Sequence, residues 1–145
     1  MRFCLVACFS FKSIDQIKSI EETAPCVIAR EAAYKANDQD IADLRAIVGR
    51  QREALGDADA FISADMEFHS RIAKISGNPI FVGVSEAMLA WLREYHTHML
   101  IWTGKENYTL VEHEEIIDML AAKNSDGVEA AMLHHLERSR ALYTK

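Results

Sequence analysis

Turn-forming residues are scarce in this sequence: six glycines and two prolines stand among 145 residues, roughly half of average usage. A β-sandwich or barrel needs frequent turns, so the shortage excludes those architectures and leaves a few long helices. Cysteine is sparse as well. Cys4, Cys8 and Cys26 are odd in number, lack metal-ligand spacing and all fall in the first fifth of the chain. That argues against a disulfide scaffold and for a reducing, cytoplasmic setting. Long apolar runs are missing. The opening Met1-Arg2-Phe3-Cys4-Leu5-Val6-Ala7-Cys8-Phe9 superficially looks like a short signal segment, but its apolar run ends at Lys12. It is too short to span a bilayer, and it lacks the basic region and full apolar core of a signal peptide. A soluble protein is expected. Positive charge is in deficit too, with 16 Lys and Arg against 22 Asp and Glu and a net charge of −6. Non-specific nucleic-acid binding needs the opposite balance, because it runs on cations that neutralise phosphates.

What the sequence has is apolar content, at 50% of residues, enough for one domain with a real core and too much for a disordered chain. Residues 1–12 remain unassigned, and 13–145 read as one domain of about six helices in an antiparallel bundle. Ser13 to Ala36 has a helical pattern that either continues through Pro25 or restarts there, because proline fits a first turn and breaks an interior. Asp38 is placed to cap a second helix carrying Ile41, Leu44, Ile47 and Val48 at spacings of three and four. After the break at Gly56, a third helix runs through Phe61, Phe68, Ile72 and Ile75. Ser76-Gly77-Asn78-Pro79 ends it and starts the next: a C-terminal glycine, an N-cap asparagine and a first-turn proline. The fourth helix carries Phe81, Val84, Met88, Leu92 and Tyr95 toward Trp102. A fifth covers about Glu106 to Lys123, and a sixth runs from Val128 to about Tyr143 after the turn Asn124-Ser125-Asp126-Gly127.

Three of these helices carry polar residues where core residues belong. Asp65 and His69 are four apart and share a face of the third helix beside Phe61, Phe68 and Ile72. His113 lies in register with Leu110, Ile116, Ile117 and Leu120, while Glu112, Glu114 and Glu115 fall on the solvent side. His135 shares a face with Val128, Met132 and Leu142. A buried carboxylate is costly unless paired, hydrogen-bonded or bound to a metal. Any one such histidine is more often a hydrogen-bonded core residue than a ligand. One Asp and three His directed inward from three helices make an N₃O donor set suited to Zn²⁺, Ni²⁺, Mn²⁺ or Fe²⁺, with coordination positions left over. His96, His98 and His134 read instead as solvated or helix-end residues.

The order of these motifs resembles the FCD domain, the C-terminal effector-binding domain of FadR-type regulators in the GntR family. The strongest match is Asp65-Met66-Glu67-Phe68-His69, then Ile72 and Ser76-Gly77-Asn78-Pro79, against D-x-x-F-H-x-x-I-x-x-x-S-G-N-P. Ile20-Glu21 with Ala24, Ala29, Ala32 and Ala33 is similar to the opening helix, Glu112-His113-Glu114-Glu115-Ile116 to E-H-x-x-I, and Met132-Leu133-His134-His135-Leu136 to the final M-x-x-H-L. The resemblance implies a six- or seven-helix bundle in which Asp65, His69, His113 and His135 hold a divalent metal such as Zn, Ni or Mn. It also implies a small carboxylic-acid effector that completes the metal shell, a homodimeric regulator and no enzymatic activity. Family members place an Arg before the Leu-Glu of the first helix, where this chain has Ile17-Lys18. Lys18 is therefore a candidate effector contact, as is Arg93 on the fourth helix; Arg71 is expected to be an exposed helix arginine. With about twelve residues before the first helix, the family's winged-helix DNA-binding domain does not fit, and direct nucleic-acid binding is not expected of this chain.

The same residues admit two other readings. An open Asp/His₃ site is also the start of a metalloenzyme, although no general base stands out, since Glu67 is two residues from both Asp65 and His69 and points elsewhere. A metal-free helical interaction module with buried histidines would keep its stability in chelator.

Overall fold

The computed structural model describes residues 14–95 and 104–141. Among them are six helices and no strand: α1 (Ile14–Lys35), α2 (Asp38–Glu53), α3 (Ala58–Ile75), α4 (Pro79–Tyr95), α5 (Glu106–Ala121) and α6 (Ser125–Ala141). The fold is the all-α bundle expected from the shortage of turn residues. Cys4, Cys8, His96, His98, Trp102 and the unassigned 1–12 segment lie outside the described residues. No described helix is long and apolar enough to cross a membrane.

Local chemistry sets most of the boundaries, and two, the α2 cap and the start of α6, differ from expectation. α1 runs unbroken through Pro25. Proline there forfeits one backbone hydrogen bond, and the residues that follow, Cys26, Ile28, Ala29, Ala32 and Ala33, are all buried, so packing holds the helix continuous. α2 is capped by Asn37, one residue before the expected Asp38. The Asn37 side chain accepts from the Asp40 N–H at 2.9 Å, and the Asp40 carboxylate accepts from the Asn37 N–H at 3.0 Å, a reciprocal capping box. Asn124 likewise caps α6, accepting from the Gly127 N–H at 2.9 Å, so α6 begins three residues before the expected Val128.

The Ser76–Pro79 turn performs as read. Gly77 takes φ +67°, a left-handed conformation natural to glycine, and the Asn78 side chain accepts from the Ile80 N–H at 3.0 Å to start α4. Lys35 donates to the Ser76 carbonyl at 2.5 Å and ties the end of α1 to this turn.

α1 packs most extensively on α6 and also touches α3, α4 and α5; α2 lies on α3 and α5, and α5 lies on α6. The core combines the alanine face of α1 with Leu44, Phe68, Ile72, Ile116, Ile117, Leu120, Val128 and Met132. Alanines let α1 approach closely, and ion pairs from Arg30 to Asp126 and Glu129 of α6 border that contact. This packing brings one face each of α3, α5 and α6 toward a shared interior.

Candidate metal centre

Each proposed ligand is carried inward by the apolar stripe on its own helix. On α3, Phe61, Ile62, Phe68 and Ile72 are buried, and Asp65 and His69 lie beside them with side chains 17% and 15% exposed. On α5, His113 sits among Leu110, Ile116 and Ile117 and is wholly buried; on α6, His135 follows Val128 and Met132 and is 4% exposed. One ligand nitrogen from each of His69, His113 and His135 lies within 4.8 Å of the other two. The ring centroids are 4.9 to 5.5 Å apart. Asp65 joins them, with Oδ1 3.5 Å from His113 Nε2 and Oδ2 3.9 Å from His69 Nε2. Three of the residues singled out by periodicity, His69, His113 and His135, therefore meet, and the fourth, Asp65, lies against two of them.

Four further residues surround this cluster. Gln51 of α2, wholly buried, donates from Nε2 to Asp65 Oδ1 at 3.2 Å and accepts from His113 Nδ1 at 2.8 Å. Glu112 is buried rather than on the solvent side, a correction to the helical-wheel reading. It accepts from His135 Nδ1 at 2.7 Å and is gripped through both oxygens by Arg138. The wheel of α5 alone places Glu112 about 100° from His113, and α6 covers that side too. Phe68 stacks on His113, with centroids 3.9 Å apart and planes 16° from parallel.

Burial shapes the protonation of the cluster. It pushes His69 down to about 4, against an opposing pull from Asp65, with His135 adding to the depression. Burial, then the neighbouring His135, His69 and Arg138 charges, hold His113 well below its ordinary value. Both rings are therefore neutral at physiological pH and offer lone pairs. Burial raises the Glu112 carboxyl, but hydrogen bonds from His135 and Arg138 outweigh it and keep the group below the usual carboxylate range.

The donor set fits a divalent transition metal. His113 Nε2 is buried without a hydrogen-bond partner and faces the Asp65 carboxylate, so two electron-rich atoms meet with nothing between them to share. That mismatch is expensive for a structural core and appropriate to a cation site. Three imidazoles and one carboxylate also satisfy the ligand preferences of Zn²⁺ and Ni²⁺.

Arg93 is exposed on α4, and the side chain of Lys18, in the opening part of α1, lies outside the described residues. Arg71 is clamped by Asp40 and Asp43 of α2 at 2.8 and 2.7 Å, rather than projecting into solvent. His134 is exposed, as expected. A surface groove of about 280 Å³ between the start of α2 and the end of α5 is lined by Ile41, Arg45, Leu120 and Lys123. It touches none of the histidines.

A family model described as the FCD domain matches residues 26–138. The HTH-type transcriptional repressors NanR of Salmonella newport and Salmonella typhimurium are each 32% identical to the chain over 125 residues, covering 80% of it and 45% of the relative. The chain thus spans about half the length of the curated relatives it matches. Among solved structures, E. coli McbR/YncC superposes with a TM-score of 0.79 at 18% identity over 92% of this chain and 65% of that one. Streptococcus agalactiae GntR gives 0.71 at 27% identity over 88% and 57%.

Proposed function

The chain belongs to the FCD domain family, the effector-binding module of GntR-family regulators, and on that premise we propose that it is a metal-dependent sensor of a small organic acid. Asp65, His69, His113 and His135 would hold a divalent metal, which would supply a fixed positive charge for the carboxylate of the effector. The observation that carries this reading is the convergence of three imidazole nitrogens within 4.8 Å, with His113 Nε2 left unpartnered opposite Asp65.

Charge favours an anionic ligand. A divalent ion and the Arg138 guanidinium contribute three positive charges, and the Asp65 and Glu112 carboxylates remove two. One positive charge remains in an apolar bundle, where electrostatic attraction is weakly screened. When bound, the ion supplies a fixed cation for a carboxylate. The protein's own side chains orient the ligands and exclude bulk water, and burial keeps the His69 and His113 imidazoles unprotonated.

Signalling then requires only that the acid bind two bundle packings unequally. In a full-length homodimeric regulator, the shift between packings alters DNA binding. The curated relatives are named as transcriptional repressors, which favours sensing over turnover for this site.

The test is a thermal-shift panel of C3–C6 carboxylic acids on zinc- or nickel-loaded protein, repeated after chelation. A binding acid at a hundredfold excess over its Kd stabilises by about 2.7 kcal/mol. A rise of several degrees in Tm that disappears with the metal is expected. No shift with any acid at millimolar concentration contradicts the carboxylate reading.

A further inference from the structure

Building on the reading of Asp65, His69, His113 and His135 as ligands, we propose that Gln51 and Glu112 are positioning residues that lock His113 and His135 in the Nδ1–H tautomer, so that both rings present Nε2 to the ion. Gln51 belongs to α2, a helix with no ligand of its own, yet its amide touches two of the four. Its Nε2 is 3.2 Å from Asp65 Oδ1 and its Oε1 is 2.8 Å from His113 Nδ1. An ionised carboxylate only accepts hydrogen bonds, so the amide nitrogen must face Asp65; the reversed amide would set oxygen against oxygen. The amide oxygen then faces His113, and Nδ1 must carry the proton. A neutral imidazole has a single N–H, which leaves Nε2 as a lone pair. That atom is the buried nitrogen without a hydrogen-bond partner.

His135 reaches the same state by different chemistry. Its Nδ1 is 2.7 Å from Glu112 Oε2, and Arg138 holds that carboxylate through both oxygens. Glu112 can only accept, so His135 Nδ1 donates. An imidazole free in water favours the opposite, Nε2–H, tautomer, so both rings are held away from their intrinsic preference by one buried acceptor each. The two acceptors are not equivalent. Glu112 carries charge, whereas Gln51 is neutral and also fixes the Asp65 carboxylate. Residues that orient ligands in this way are worth about 10- to 100-fold in metal affinity.

Two measurements decide the matter. Nitrogen-15 NMR of the metal-free protein at neutral pH reads each ring's tautomer, and competition with a chelator reads Co²⁺ affinity. Wild type is expected to show Nδ1–H at His113 and His135. Gln51→Met, close in volume and lacking the acceptor, shifts His113 alone toward Nε2–H and lowers Co²⁺ affinity about 10- to 100-fold. Glu112→Gln retains an acceptor oxygen and is expected to keep the His135 tautomer while binding Co²⁺ more weakly; it decides the question should the buried Gln51 variant fail to fold. An Nε2–H ring at His113 in metal-free wild type overturns the assignment. Unchanged Co²⁺ affinity in folded Gln51→Met, or an Nε2–H ring at His135 in metal-free Glu112→Gln, overturns the positioning role while leaving the metal reading intact. Wild type that holds both Nδ1–H tautomers yet takes up no Co²⁺ overturns the metal reading and, with it, the purpose assigned to Gln51 and Glu112.

Discussion

Where α1 lies against α6, Ala29, Ala32 and Ala33 of one helix and Val128 and Met132 of the other are at most 1% exposed and carry no polar side-chain group. Around His113, the residues Gln51, His113 and His135 are at most 4% exposed, and each is polar. The two regions exclude water almost equally well. In the first, exclusion is itself the stabilising event. In the second, exclusion costs free energy that hydrogen bonds only partly recover. The chain Asp65–Gln51–His113 and the chain His135–Glu112–Arg138 satisfy most of the polar atoms, but His113 Nε2 is left over. A fold that needed only stability would fill this space with apolar side chains. On the function proposed above, the polar centre is retained for what it binds.

The contrast breaks most sharply at Arg138. Arg138→Met leaves the Glu112 carboxylate, 9% exposed, without its bidentate partner, and an expected loss of about 3–5 kcal/mol would appear as a lower urea midpoint. A loss comparable to that of a surface ion pair would show that Glu112 is solvated. In the alanine seam the corresponding error is excess volume. Ala33→Leu at a wholly buried position is expected to cost about 1–3 kcal/mol through overpacking, with metal uptake retained in the folded fraction.

Acid separates the regions without mutation. His69 titrates at about 4 in the folded protein and His113 well below the ordinary histidine value of 6.5, which both regain on unfolding. Between those limits the unfolded chain binds protons that the folded chain refuses, so stability rises with pH there. Stability of the metal-free protein is therefore complete above about pH 6.5 and falls as pH drops toward 4. Glu112, held below its ordinary value, adds to the loss as it becomes protonated. Urea midpoints at a series of pH values should show this decline, and a flat profile down to pH 5 would contradict the buried neutral histidines. The smallest effect belongs to the rim. Arg45→Ala removes an ion pair to Asp118 whose side chains are 52% and 60% exposed, and a change within about 1 kcal/mol is expected.

Most of the fold was legible because its signals are local. The Ser76-Gly77-Asn78-Pro79 turn carries its own stereochemistry, and the apolar spacing of α3, α5 and α6 says which face turns inward. The same spacing identified Asp65, His69, His113 and His135, since a polar residue in an apolar stripe is visible without a partner. Pro25 left two courses open for α1, because local propensity does not report the packing that keeps the helix continuous. A single wheel puts Glu112 in solvent because it cannot show that α5 is covered on two sides. Gln51 did have a signal. It follows Leu44, Ile47 and Val48 at helical spacing, and all four are buried, so the inward register of α2 extends one step further into a polar residue. What no pattern within one helix can contain is which residue faces which across helices, and the hydrogen bonds that orient His113 and His135 are of that kind.

The central claim is that the polar interior exists to hold a metal. Elemental analysis of the purified protein, alongside His113→Ala carried through the same preparation, tests it most directly. The account predicts close to one transition-metal ion per chain in the wild type and its loss in the variant. Wild type that stays folded and metal-free after dialysis against excess Zn²⁺ and Ni²⁺ would contradict it and leave the histidines as costly core hydrogen-bonders.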